Sequence, residues 1–398
     1  MNRSRADSAP FALPEVVQVL GHTALGGAVP VVVHICRICE EVGLQPVVLA
    51  THPAVVSYLK REGCEVWEFP GLVREPNPFR DLWVALSLAV QLRRRGTKVV
   101  HTHTSKGGMV GRLAGRLAGC DLVIHHTHGF YHTGLRPGIT RLVMMGLEWV
   151  FSHLCDFQLF VNAEDREEAV SQGFLPQSRA LTIFNGVDDP LANERLDCPA
   201  VRESWGIPRG HRVLGIVTRI AERKGVDICL RAFERLRRHM DDLWLIIIGE
   251  GPGLAAMQHL ALELGVSDRS VFLGFLPEAG RYYECFDLAV TASEHEGQSI
   301  SVIEAIACGT PVIASDIRGH RDMVLGGRTG LLCPVGDAEA FAAAVEELLE
   351  SESRRAVMAV KARAHFEQHF TMERFREEVR SFYIDALSQK RIKGGLSE

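Results

Sequence analysis

Ser293-Glu-His-Glu296-Gly-Gln-Ser299-Ile-Ser301-Val-Ile-Glu304-Ala-Ile-Ala-Cys-Gly309-Thr-Pro311-Val-Ile-Ala-Ser315 lies between two short apolar runs, 288–290 and 312–314. Each run reads as a buried strand. Between them the pattern predicts a polar turn and a helix from about 300 to 308. Ser301 and Glu304 have capping-box spacing, and Gly309 and Pro311 supply the stop. The unit is strand, loop, helix, strand, with the loop at the carboxyl end of a strand, the edge where open parallel sheets bind ligands. The free N–H groups at the helix start suit an anion. Glu296 and Glu304 would repel a phosphate, so they suit hydroxyl groups such as those of a sugar. A capping box plus an exposed loop acid accounts for the same residues.

Working outward, 398 residues allow two domains, and 46% hydrophobic with 23% charged residues fits a globular chain with a sizeable core. A net charge of −5 gives no nucleic-acid signature. No early apolar segment reads as a secretory signal, and no run reaches the roughly 18 residues of a membrane span. Ten scattered cysteines fit reduced, intracellular usage and a cytoplasmic location. The lone pair Cys36 and Cys39 reads as buried thiols.

Residues 1–14 read as a disordered tail. Strands are then expected near 16–20, 46–50, 65–69, 98–101, 122–125 and 158–161, alternating with helices, which predicts a doubly wound α/β sheet. The loop holding Gly26 and Gly27 opens the first helix, as a plain turn or as a close approach to a ligand. Residues 82–120 hold seven Lys or Arg and no acid, either as a solvated basic face or as one meeting an anionic acceptor or membrane. The histidines at 101, 103, 125, 126, 128 and 132 raise a metal site, but no acid or cysteine at ligand spacing accompanies them, and none is assigned. His128, between a strand and Gly129, reads as a site imidazole.

Residues 189–210 read as a linker. A second alternating series follows, with strands near 213–217, 243–248, 271–274, 287–292, 312–314 and 330–333. Arg219 and Lys224 flank the turn after its first strand and suit a diphosphate, although surface charge would explain them equally. Gly249-Glu-Gly251-Pro-Gly253 departs from dinucleotide spacing and sits after the wrong strand. Helices are expected at 277–285, 338–349, 352–368 and 371–388. No D-x-D motif stands out.

Together these residues resemble the retaining family 4 glycosyltransferases of the GT-B fold. Gly26-Gly27, Arg219, Lys224-Gly225, Gly249-Glu-Gly251-Pro, Glu296-x7-Glu304 and Gly309-Thr-Pro311 occur in the family's order across nearly the whole chain. His101-Thr-His-Thr-Ser-Lys106 and His128-Gly-Phe130 resemble the subset that builds capsules, exopolysaccharide and lipid-linked oligosaccharides. The resemblance implies two Rossmann-like doubly wound domains facing a cleft: an acceptor-side domain over 15–188, a donor domain over 211–370, and a crossover helix and tail over 371–398.

It further implies a hexosyl- or N-acetylhexosaminyltransferase that takes a nucleotide sugar, preferably UDP-linked, and a saccharide or polyprenyl-linked acceptor. No cofactor or metal is implied. Arg219 and Lys224 would hold the diphosphate and Glu304 the ribose. Glu296 would reach the sugar, with Gly297, Gln298, Ser299, Ile300 and Ser301 contacting sugar and phosphate. Gly26, Gly27 and Gly249 would approach the donor, and Phe275 and Leu276 border the base. His128 would stand beside the donor sugar, and His101, His103 and Lys106 on the acceptor side. A UDP-sugar epimerase and a non-catalytic nucleotide-sugar-binding module remain alternatives.

Overall fold

The computed structural model describes residues 13–23, 26–69, 71–73, 75, 77–135, 137–192 and 194–392. Most of the expected tail, 1–12, and the last residues, 393–398, lie outside them, as do Ala24 and Leu25 beside the glycine pair. Seven strands form the first sheet: β1 (Glu15–Gly21), β2 (Gln45–Ala50), β3 (Val66–Trp67), β4 (Val99–His103), β5 (Leu122–Thr127), β6 (Phe157–Phe160) and β7 (Ala180–Thr182). Their order is β3-β2-β1-β4-β5-β6-β7, and every pairing is parallel. Helices α1 (Ala28–Glu41), α2 (Pro53–Arg61), α3 (Pro78–Arg95), α4 (Ser105–Ala118), α5 (Ile139–Ser152) and α6 (Ala163–Ser171) make the crossovers. Local sequence explains their ends. Asn77 caps α3 by accepting from the Arg80 N–H, Pro78 needs no partner in the first turn, and Gly96 closes the helix at φ 70°.

A short helix α7 (Cys198–Ser204) leads to the second sheet: β8 (Arg212–Val217), β9 (Leu243–Ile248), β10 (Ser270–Gly274), β11 (Leu288–Thr291), β12 (Val312–Ser315) and β13 (Gly330–Cys333). It too is wholly parallel, in the order β10-β9-β8-β11-β12-β13. Its helices are α8 (Val226–Arg237), α9 (Leu254–Glu263), α10 (Ile300–Ala307), α11 (Arg318–Arg321), α12 (Ala338–Leu349) and α13 (Glu352–His369). Parallel strands covered on both faces read as continuous apolar runs, and Leu243–Ile248 is buried throughout. In each sheet the strand order reverses beside the first strand of its half, at β1/β4 and β8/β11. Loops at such a point diverge and leave a crevice.

The last helix, α14 (Met372–Gln389), crosses back. Its Phe375, Val379, Phe382, Tyr383, Ala386 and Leu387 share a core with Val16, Ile35, Val99 and Ile124 of the first sheet and α1. Burying each large side chain there contributes about 1.5–3 kcal/mol.

Several expectations are corrected. The capping box does not form: α10 begins at Ile300 with Ser299 at its N-cap, so Ser301 already lies within the helix. Residues 277–285 tighten into a 3-10 segment, Ala279–Cys285. The stretch read as a linker carries α7, and its start is clamped where Arg363 reaches both Asp189 carboxylate oxygens, at 2.7 and 2.6 Å. The cysteines are not all free thiols, because a disulfide joins Cys198 to Cys285. These residues are 87 positions apart and meet only through the packing of α7 on the 3-10 segment, so spacing gave no sign of the bond. Cys36 and Cys39 are buried on α1, and burial helps push the Cys39 thiol up to about 12.

Candidate active site

The loop after β8 is shaped by glycine. A Cβ on Gly249, at φ +137°, would lie 1.9 Å from the Thr218 carbonyl oxygen, and one on Gly251 would lie 2.2 Å from that of Ile220. These glycines let the loop after β9 press against the loop holding Arg219 and Lys224. Gly225, at φ +66°, packs in the same way on the Ala292 carbonyl and carries the chain into α8. Arg219 is exposed and makes no ion pair among the described residues. Lys224 donates from Nζ to Glu296 Oε1 at 2.5 Å. Two cations and one acid are thus gathered where β8 and β11 diverge.

Glu296 begins the segment that touches the first half. The Gly297 backbone packs directly against His128 and Gly129: a Cβ on Gly297 would lie 2.0 Å from the His128 carbonyl oxygen. Asn162 donates to the Gly297 carbonyl at 2.9 Å, and Gln298 Oε1 accepts from the Asn185 N–H at 2.7 Å. The buried Gln298 Nε2 has no partner among the described residues, so it can donate to a bound group. Ser299 and Ser301 hydrogen-bond to each other through their hydroxyls at 3.0 Å.

One turn into α10, Glu304 faces a cavity of about 360 Å³ whose walls come from both halves. Gly27, Pro30 and His34 line one side; Gly280, Ile300 and Glu304 line the other. A Cβ on Gly27 would sit 3.4 Å from Ile300, so this member of the glycine pair does approach the α10 amino terminus. Gly280, which the pattern did not single out, makes room for Glu304: a Cβ there would lie 2.7 Å from Glu304 Cδ. Burial raises the Glu304 pKa to about 7. Phe275 stands exposed just past β10, with Leu276 partly buried beside it.

The histidines occupy different ground. His101 and His103 are fully buried on β4, so neither stands on an accessible acceptor side. β4 is the central strand of the sheet and is buried along its whole length, which puts them there. Lys106 is tied to Asp81 at 2.8 Å. Of the seven cations in 82–120, five are paired: Arg95 with Glu15, Lys98 with Asp121, Lys106 with Asp81, Arg112 with Glu148 and Arg116 with Asp156. Charge compensation from distant segments therefore consumes most of the basic face. His101, His103 and His126 place one ring nitrogen each within 4.8 Å of the others, the one such group among the described residues. Both His103 nitrogens are already hydrogen-bonded, and no carboxylate in the group would offset a buried cation. His128 keeps partial exposure, and burial lowers its pKa to about 4. With Thr104, Tyr131 and Met144 it lines a second cavity, of about 230 Å³.

Residues 25–190 match the model of Glycosyltransferase Family 4, and residues 198–365 match that of the Glycosyl transferases group 1. A GDP-mannose-dependent alpha-(1-6)-phosphatidylinositol monomannoside mannosyltransferase of Mycolicibacterium smegmatis is 32% identical over 274 residues, covering 64% of this chain and 68% of that protein. The chain is a family 4 glycosyltransferase. A UDP-Gal:alpha-D-GlcNAc-diphosphoundecaprenol alpha-1,3-galactosyltransferase of Escherichia coli is 25% identical over 326 residues, 81% of this glycosyltransferase and 84% of that one. Anabaena HepE, solved in complex with UDP and glucose, superposes with a TM-score of 0.78 at 19% identity, over 94% of this chain and all of that one. That likeness identifies the GT-B fold of the enzyme. Among the described residues of the glycosyltransferase, no helix is long and apolar enough to cross a membrane.

Proposed function

We propose that the enzyme moves a sugar from a nucleotide sugar, UDP-linked by preference, to a saccharide or polyprenyl-linked saccharide, with retention of configuration, in surface polysaccharide biosynthesis. The observation that carries this reading is the cavity shared by Gly27 and Glu304, at the amino terminus of α10. Glu304 takes the ribose hydroxyls there. Arg219, Lys224 and the free N–H groups of α10 take the diphosphate.

Cleaving the sugar–phosphate bond builds negative charge on the leaving diphosphate. Preorganised cations and a helix amino terminus stabilise that charge as it forms. Lys224 moves from Glu296 to the diphosphate on binding, which frees Glu296 to accept from the donor sugar. The acceptor hydroxyl attacks from the face the diphosphate leaves and gives its proton to the departing phosphate oxygen. The names of the Escherichia coli and Anabaena proteins support UDP, and the former supports a lipid-linked acceptor.

Calorimetric titration with UDP, GDP and NAD tests the donor site. UDP is expected to bind, and Lys224→Ala and Glu304→Ala to weaken it roughly tenfold or more each. Binding of neither nucleoside diphosphate, or affinities unmoved by both substitutions, would remove this assignment.

A further inference from the structure

Four histidines at the ends of β4 and β5 form a stack. Ring centroids lie 4.5 Å apart for His101 and His103, 5.4 Å for His103 and His128, and 4.5 Å for His126 and His128. Hydrogen bonds thread part of it in a defined direction. Gln18, buried on β1, donates from Nε2 to the Tyr383 hydroxyl at 3.2 Å, and its Oε1 lies 2.9 Å from His103 Nε2. An amide oxygen only accepts, so His103 carries its proton on Nε2. A neutral imidazole has one N–H, which leaves His103 Nδ1 as a bare acceptor. That atom lies 3.2 Å from His128 Nε2, so His128 must be the donor. Burial holds both rings below the ordinary histidine range, which keeps each neutral and the assignment single-valued.

We infer that Gln18, acting through His103, holds His128 in the tautomer protonated on Nε2, leaving Nδ1 as its one hydrogen-bond acceptor. The inference rests on the reading of His128 as the imidazole beside the donor sugar, and deepens it. His128 then accepts a hydrogen bond from a substrate hydroxyl and does not supply one. Gln18 and His103 are positioning residues, because both are fully buried and neither lines either of the two cavities described above. Tyr383 completes the chain from α14. Its hydroxyl accepts from Gln18 Nε2, which keeps the amide oxygen turned toward His103, and lies 2.7 Å from His101 Nδ1. Part of the tautomer control thus comes from a residue 255 positions away in the sequence (383 − 128).

Two-bond proton–nitrogen NMR on histidine-labelled wild-type protein reads the tautomer directly, with His128 assigned from its loss in His128→Ala. The expected result is a protonated Nε2 and a bare Nδ1. A proton on Nδ1, or a mixture of the two forms, would overturn the inference even if no variant folded. Gln18→Leu removes the acceptor facing His103. It is expected to mix the His128 tautomers and to lower kcat for UDP release from UDP-glucose or UDP-galactose roughly tenfold or more, with KM within about twofold. Gln18→Glu keeps an acceptor in place and is expected to restore the single tautomer. Gln18→Leu with wild-type kcat and an unchanged tautomer would overturn the relay. Full turnover in His128→Ala would instead remove the role of His128, and the NMR result would still decide which nitrogen bears the proton.

Discussion

Glu304 stands against Gly280, and its carboxyl titrates near 7 because burial disfavours the charged form. Its folded pKa lies above the ordinary 4.5, so the folded protein holds this proton longer than the unfolded chain does. The stability it contributes is complete below about pH 4.5 and is lost as pH rises to about 7. Ribose hydroxyls donate to the ionised form, so binding runs the other way. UDP affinity is expected to rise between about pH 6 and pH 8, and Glu304→Gln to flatten that rise. The phosphate's own titration is common to both proteins and cancels in the comparison. Calorimetry at several pH values checks this, and identical profiles for the two proteins would count against Glu304 as the ribose ligand. The loops holding Arg219, Lys224 and Glu296, and the helix holding Glu304, were legible from the apolar runs that precede them, while the roles of the four residues came from the family resemblance alone. Gly280 was not legible, since its role exists only against a side chain 24 positions later (304 − 280).

Helices α3 and α5 expose much of their apolar surface. On α3, Phe79 is 88% and Trp83 62% exposed, and on α5, Ile139 is 74% and Leu142 62% exposed. Large apolar side chains grouped on exposed helix faces mark a docking surface, and a lipid interface fits one that also carries Trp. With five of seven nearby cations paired internally, the apolar faces and not the charge support peripheral membrane contact. Flotation with liposomes is therefore expected to persist at high salt and in neutral lipid. Trp83→Glu together with Leu142→Glu is expected to abolish it. Binding only to anionic vesicles at low salt would return the weight to charge. At this scale most strands and long helices were readable from buried runs and their punctuation. Strand β7 was missed because three residues at a sheet edge are too few for periodicity. The capping box failed because Ser-x-x-Glu spacing recurs inside helices, and the N-cap falls at Ser299, two residues before the serine that pattern implied.

Across the molecule, the two halves are latched beside the cleft by charge. Arg318 on α11 reaches Asp165 and Glu168 on α6, Arg321 reaches Glu164, and Asp322 accepts from the Ala163 N–H at the amino end of α6. Hydrogen bonds from His132 and then Arg318 hold the Glu168 pKa down to about 2. Arg318→Ala leaves Asp165 and Glu168 short of their cation, at a cost of about 1–3 kcal/mol, since Arg318 is partly exposed and both carboxylates keep other hydrogen bonds. The halves are expected to part, with a larger radius of gyration by small-angle scattering and roughly tenfold weaker donor binding; an unchanged radius and affinity would show the latch to be dispensable. The docking of α14 has a different consequence, one that concerns synthesis. The apolar face over Val16 and Ile124 is sealed by residues 375–387, which follow the whole second sheet in the chain. A nascent chain therefore carries its first domain unsealed until the second sheet and its helices have been made. Ribosome stalling or premature termination in the second half would release a product with an open core, a natural client for chaperones.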